Sequence, residues 1–212
     1  MFATIKEWAV QNGVEVTTVQ QQMLQAHQNM VLETNKHMNL TAITNPQEFA
    51  IKHIIDSLTL LPYIPHTATT LADIGTGAGY PGLVLAIMRS DLHVTLLDST
   101  RKRIDFLQET AKTLGLTNVE CLHARAEELA PTGTKFDVCT ARAVAGMDKL
   151  AKWVLPITKP GGIFLAMKGP NVQEELDAAQ KILAKRGGTI QTVDKVEISA
   201  GILHSIVVVQ RN

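Results

Sequence analysis

The stretch LADIGTGAGYPGLVLAIMRSDLHVTLLDS, Leu71 to Ser99, constrains this chain more than any other. Leu71, Ala72 and Ile74 form a short apolar run, the signature of a buried strand. Gly75-Thr76-Gly77-Ala78-Gly79-Tyr80-Pro81-Gly82 follows at once, and Leu83, Val84, Ala86, Ile87 and Met88 then supply an apolar helix face. His93 to Leu97 reads as a second strand ending in Asp98. Strand, glycine turn, helix, strand and acid are laid out as a nucleotide site is. The glycines let backbone turn tightly against a ligand, the helix behind them offers free N–H groups, and the acid can accept bonds from ribose hydroxyls.

Two registers fit the turn. Gly77-x-Gly79-x-x-Gly82 matches a dinucleotide fingerprint, whereas Gly75-x-Gly77-x-Gly79 matches the pattern of S-adenosylmethionine (AdoMet) sites. Asp98 lies nineteen residues past Gly79 and suits either. The glycines therefore specify an adenosine cofactor and leave its identity open.

At 212 residues the chain can bury one good core and perhaps a small extra lobe. Its 45% hydrophobic and 19% charged residues fit a globular protein. No apolar run reaches the roughly 18 residues of a membrane span. The start, MFATIKEWAVQNG, has no apolar signal core before a cleavage site, so a cytoplasmic location is expected. Cys121 and Cys139 stand apart, without CxxC or paired-His spacing, and no metal site is expected. Zero net charge means that any nucleic-acid binding must come from a local patch.

Residues 1–65 read as an all-helical region, a lid or an edge layer, ahead of a sheet domain over 66–212. Phe2, Ile5, Trp8 and Ala9 share one helix face, and Val16, Val19, Met23, Leu24, His27, Met30 and Val31 mark a second helix from Thr17 or Thr18 to about His37. His27 on that face reads as a core contact. Asn45-Pro46-Gln47-Glu48 opens a third helix, with Asn45 as cap and Glu48 returning a capping-box bond. It runs towards Asp56-Ser57-Leu58.

After Asp98, Ser99 or Thr100 can cap a helix whose first turn is Arg101-Lys102-Arg103. Three cations there oppose the helix dipole, which suits either a solvated face or a nearby anion such as RNA phosphate. Asn118 to Leu122 is a third strand, with Arg125-Ala126-Glu127 just beyond its end. Phe136 to Thr140 is a fourth, with Arg142 at its tip. Asp148 to Leu155 is a helix that places Trp153 in the core. Lys159-Pro160-Gly161-Gly162 turns into a fifth strand, Ile163 to Met167, which ends at Lys168. Val172 to Arg186 is a further helix. Thr189 to Val196 and Ser205 to Gln210 close the sheet, the last strand antiparallel to its neighbours.

The whole pattern resembles the α/β class I (Rossmann-like) methyltransferase fold: a mostly parallel seven-stranded sheet, helices on both faces and a helical N-terminal extension. More closely, the chain resembles the bacterial GidB/RsmG family of small-subunit ribosomal RNA guanine-N7 methyltransferases. Asn39-Leu40-Thr41, His53-Ile54-Ile55-Asp56-Ser57-Leu58, Asp73 to Gly82, Leu96 to Ser99 with Lys102-Arg103, Arg125-Ala126-Glu127, Arg142-Ala143 and Lys168-Gly169 carry the likeness, in order along most of the chain.

The resemblance implies AdoMet as cofactor, S-adenosylhomocysteine as product, and 16S ribosomal RNA as partner, naked or in a small-subunit particle. A monomer with no membrane or metal requirement is expected. Gly75 and Tyr80 would lie around the methionine part of AdoMet, with Gly77 and Gly79 in the same cofactor-binding loop. Asp98 would take the ribose, and Ala126 and Glu127 would border the adenine. Arg142, the expected catalytic residue, would sit between cofactor and base. Arg125 and Lys168 would hold RNA, with Arg101, Lys102 and Arg103 on the same rim. Two positions depart from the family: Thr34 stands where a Trp is usual before Asn35, and Leu203 where an Arg is usual before His204. Read singly, Arg125 and Arg142 serve equally as surface charges, Asp56 and Glu127 as helix caps, and Asp73 as a tie to the glycine loop. An NAD-dependent dehydrogenase and a non-catalytic, AdoMet-containing RNA-binding module are the alternatives.

Overall fold

A computed structural model describes residues 2–212, with side chains from residue 4 onward. The seven strands are β1 (Thr70–Ile74), β2 (His93–Asp98), β3 (Val119–His123), β4 (Phe136–Arg142), β5 (Thr158–Lys168), β6 (Gly188–Ser199) and β7 (Ile202–Arg211). They form one sheet in the order β3-β2-β1-β4-β5-β7-β6. The first five are parallel, and β7 runs antiparallel to both β5 and β6. The order reverses between β1 and β4, and a crevice opens there beyond the carboxyl ends of the strands.

Strand alternation divides the core into two. Leu71, Leu96, Val138, Leu165 and Ile206 join an apolar cluster on one face. Ala72, Leu97, Cys139, Phe164 and Val207 join the other. The first face is covered by α5 (Gly82–Met88), α6 (Arg101–Thr113) and the helical region before the sheet. The second is covered by α7 (Ala126–Leu129), α8 (Met147–Val154) and α9 (Gln173–Lys185).

The helical region consists of α1 (Phe2–Gln11), α2 (Thr18–Thr34) and a continuous run made of α3 (Pro46–Phe49), a π-helical segment (Ala50–Ile55) and α4 (Asp56–Leu58). Ile5, Leu24, Val31, Phe49 and Ile54 are all fully buried with the sheet's own core residues, so this layer shares the core of the sheet. The expected place of Phe2 on the first helix face lies outside the described side chains.

Several local expectations change. Thr17 caps α2 in a reciprocal box with Gln20, but the helix stops at Thr34. Asn35 is turned to other work: its side chain accepts from Leu40 and Thr41 N–H and donates to Thr41 C=O, pinning the Asn39-Leu40-Thr41 turn. Asn45 caps α3 as expected, whereas Glu48 pairs with Lys52, one turn on, at 2.6 Å. Thr100 precedes α6 without a side-chain cap bond; Asp98 Oδ1 accepts its N–H instead, at 2.8 Å. Lys159 to Gly162 lies inside β5, as an irregularity with Gly161 at φ +76°. The closing hairpin is longer at both ends, because ten residue pairs keep β6 and β7 in register through two bulges.

Candidate active site

The crevice is walled by the loops that leave β1, β2 and β4. After β1 the chain needs three left-handed positions in close succession, and Gly75 (φ +68°), Gly77 (φ +61°) and Gly79 (φ +97°) fill them. Two buried carboxylates hold this loop. Asp73, wholly buried in β1, accepts the Gly82 N–H at 2.8 Å, and burial pushes its carboxyl up to about 6. A Cβ on Gly82 would lie 2.6 Å from that of Asp73, so only glycine admits this approach. Asp98 accepts the Gly77 N–H through Oδ2 at 3.0 Å and also meets Arg103 at 3.5 Å.

Two cavities meet at Gly75. The smaller, about 180 Å³, has Ile74, Leu97 and Trp153 among its walls, with Ser99, Arg125, Ala126 and Glu127 at its edge. Trp153 is thus half-buried against this cavity, not sealed in the core as its place on α8 suggested. The larger, about 510 Å³, runs from Gly75-Thr76-Gly77-Ala78 across Tyr80 and Arg142 to Thr41, His53 and Asp56, and out to Leu203. Ala143 borders the larger and Val144 the smaller, so this segment after β4 partitions them. A Cβ on Gly75 would lie 2.7 Å from Val144 Cγ2.

Arg142 is the centre of the larger cavity. It ends β4 with its side chain on the face that carries the helical layer, since Val138, two pleats back, joins that face's core. Its Nη1 donates to Lys52 C=O at 2.8 Å and to Asp56 Oδ2 at 2.9 Å, and Nη2 meets His53 Nδ1 at 3.1 Å. Its guanidinium also lies over the Tyr80 ring, 5.6 Å from the centroid. The other oxygen of Asp56 bonds His204 Nδ1. Asp56 is therefore a pivot between β4 and β7 and caps no helix.

Behind Arg142, the rings of His27, Tyr80 and His53 are stacked, with centroids 4.7 and 4.9 Å apart. His27 donates from Nε2 to Ala78 C=O at 2.8 Å, which ties α2 to the glycine loop. Burial lowers His27 to about 4, and burial with the Arg142 charge lowers His53 to about 3. Both rings are neutral at pH 7.

The basic residues do not form one rim. Arg103 and Arg142 share the larger cavity, and Arg125 borders the smaller. Arg101 and Lys102 are exposed on α6. Lys168 turns away: it neighbours Met167, which pairs with Arg142, so the pleat sends it to the opposite face. There it donates to Ala145 C=O at 2.6 Å and pairs with Glu175 at 2.5 Å. The expected RNA contact is an internal strut. Tyr80, Asp98 and Ala126 are buried, and Glu127 is exposed. No motif marks His204 as part of the site. His53 and Asp56 stand three apart on one helical run, inside the His53 to Leu58 block that carries part of the family resemblance, and these are the sequence signals that they act together.

The reversed last strand, the glycine loop at the switch point and the buried acid that ends β2 define a class I methyltransferase fold. Solved structures agree. A precorrin-6y C5,15-methyltransferase from Geobacter metallireducens superposes with a TM-score of 0.58 at 15% identity, covering 74% of this chain and 86% of its own. The M. jannaschii protein TYW2, solved in complex with AdoMet, gives 0.59 at 17%, covering 75% and 76%.

The family follows from sequence: residues 20–203 match GidB, rRNA small subunit methyltransferase G, and the chain belongs to this family. A ribosomal RNA small subunit methyltransferase G from Desulforamulus reducens is 42% identical over 92% of this chain and 83% of its own length. One from Clostridium perfringens is 40% identical over 99% and 90%.

Proposed function

We propose that this chain transfers a methyl group from AdoMet to N7 of a guanine in 16S ribosomal RNA, as a cytoplasmic monomer. Membership of the family supports the reaction, and the observation that carries the site is the pair of cavities meeting at Gly75. The smaller, with an apolar floor and the Ala126-Glu127 edge, suits the adenine. Asp98 suits the ribose: a carboxylate offers about four acceptor positions, and backbone N–H groups occupy two of them here. The glycine loop, Tyr80 and Arg142 suit the charged amino-acid end. When bound, AdoMet supplies a methyl on a sulfonium sulfur, open to direct displacement.

Guanine N7 has a lone pair and no proton, so no residue has to remove one. Arg142 stays protonated and cannot serve as a base. His53 is held neutral between Arg142 and Thr41. The work of these residues is positioning: they fix a splayed-out base against the donor and keep water out. RNA outside the cavities would meet Arg125 at the edge of the smaller one and the exposed Arg101 and Lys102 on α6.

Calorimetry with AdoMet, S-adenosylhomocysteine and NAD, together with mapping of methylated nucleotides in ribosomal RNA from cells with and without this gene, tests the reading. Binding of NAD in place of AdoMet would overturn it in favour of a dehydrogenase. An unchanged methylation map would leave a non-catalytic RNA-binding module.

A further inference from the structure

We propose that Thr41 reads O6 of the target guanine with a hydroxyl that the fold has made into a donor only. The inference rests on the guanine reading above and deepens it. Arg142 carries donors and no acceptor, so the ring nitrogen it meets, His53 Nδ1, must accept. The single proton of the neutral ring then sits on Nε2, 2.8 Å from Thr41 Oγ1. His53 is the donor in that contact and Thr41 the acceptor. A doubly protonated ring would aim an N–H at a guanidinium, and burial beside Arg142 holds the ring neutral. The Ile43 N–H donates to the same oxygen at 3.0 Å. A hydroxyl oxygen has two lone pairs, and both are taken. Its own proton is left to point into the cavity that Thr41 lines.

The apolar part of that cavity's lining includes Leu40, Ile43, Ile198 and Ile202. The faces of a flat base fit such apolar walls. Guanine shows two acceptors side by side, N7 and O6; adenine shows N7 beside an amino group. A base that presents N7 to the methyl donor therefore presents O6 or N6 next to it. An ordinary threonine hydroxyl rotates to donate to the one or accept from the other. Thr41 cannot accept a third bond, so an adenine amino group would face an O–H and stay unpaired. Arg142, through His53, thus positions the reader as well as lining the same cavity.

The test replaces the mapped target nucleotide in ligated small-subunit RNA by guanosine, inosine or 2-aminopurine. Inosine keeps O6 and lacks the 2-amino group; 2-aminopurine keeps the amino group and lacks O6. Wild type is expected to methylate guanosine and inosine RNA with similar kcat/KM. Thr41→Val should lower both roughly tenfold more than it lowers the 2-aminopurine rate, because only the O6-bearing bases lose a hydrogen bond while all three RNAs share the effect of leaving His53 and the Ile43 N–H without their acceptor. Thr41→Ser, which keeps the hydroxyl, should restore the guanosine rate. An equal loss on all three RNAs, or no loss on guanosine, would overturn the role of Thr41. Failure of wild type to methylate any guanosine at N7 would instead overturn the functional reading itself.

Discussion

Acid should loosen this fold well above the usual carboxylate range, because two histidines, each stacked on Tyr80, are buried in their neutral form. His27 falls from 6.5 to about 4 and His53 from 6.5 to about 3. Unfolding frees both rings to bind protons below pH 6.5, so stability must fall as pH falls from there towards the folded values. At pH 5 each ring accounts for about 2 kcal/mol lost relative to pH 7.5. Asp73 works the other way. Its carboxyl rises from 3.8 to about 6, so the folded chain is the one that gains a proton in this range. That offsets about 1.4 kcal/mol at pH 5. The net loss is about 2–3 kcal/mol, a large share of the stability of an ordinary domain. Urea denaturation at constant ionic strength, followed by circular dichroism between pH 7.5 and 5, measures it. His27→Gln keeps a donor for Ala78 C=O and removes a titrating ring, and should cut the loss to under about 1 kcal/mol. A wild-type stability that is flat or rising towards pH 5, or a variant that loses as much as wild type, would refute the reasoning.

Arg142→Ala leaves Asp56 Oδ2 and His53 Nδ1 without their donor and removes the bond to Lys52 C=O, and should cost about 3 kcal/mol of stability as well as activity. Arg142→Lys should recover little single-turnover rate, since a point charge replaces a planar fork with three committed bonds. Asp98→Ala should weaken AdoMet binding by about 1.5–3 kcal/mol in calorimetry, and Gly75→Ala should abolish it, because the new Cβ meets Val144 and the backbone needs φ +68°. In salt titrations of RNA binding, each lost phosphate contact at Arg101, Lys102 or Arg125 should lower the slope by about 0.7, Lys168→Ala should leave it unchanged, and Leu203→Arg at the cavity mouth should steepen it. Single-turnover rate should be level between about pH 7 and 9; a step near pH 7 removed with one His or carboxylate would show that a base is needed.

The sheet and the glycine-loop half of the candidate site were legible in the sequence because they depend on neighbours in the chain. Alternating apolar strands, a run of glycines at left-handed positions and an acid at a strand end are local patterns, and Leu71 to Ser99 carries all three. The antiparallel closing strand was legible for a similar reason, since β6 and β7 are joined by a hairpin. The Arg142 side of the site was not. Asp56 and His204 lie 148 residues apart, and nothing local brings them together. They meet because β4 and β7 send Arg142 and His204 to the same face, and the helical layer docks on that face. Lys168 shows the same rule from the other direction. It ends a strand as Arg142 does, but stands one residue out of phase and pairs with Glu175 on the far side. Chain order told which residues end a strand; strand pairing and helix packing decided which of those ends look into one cavity.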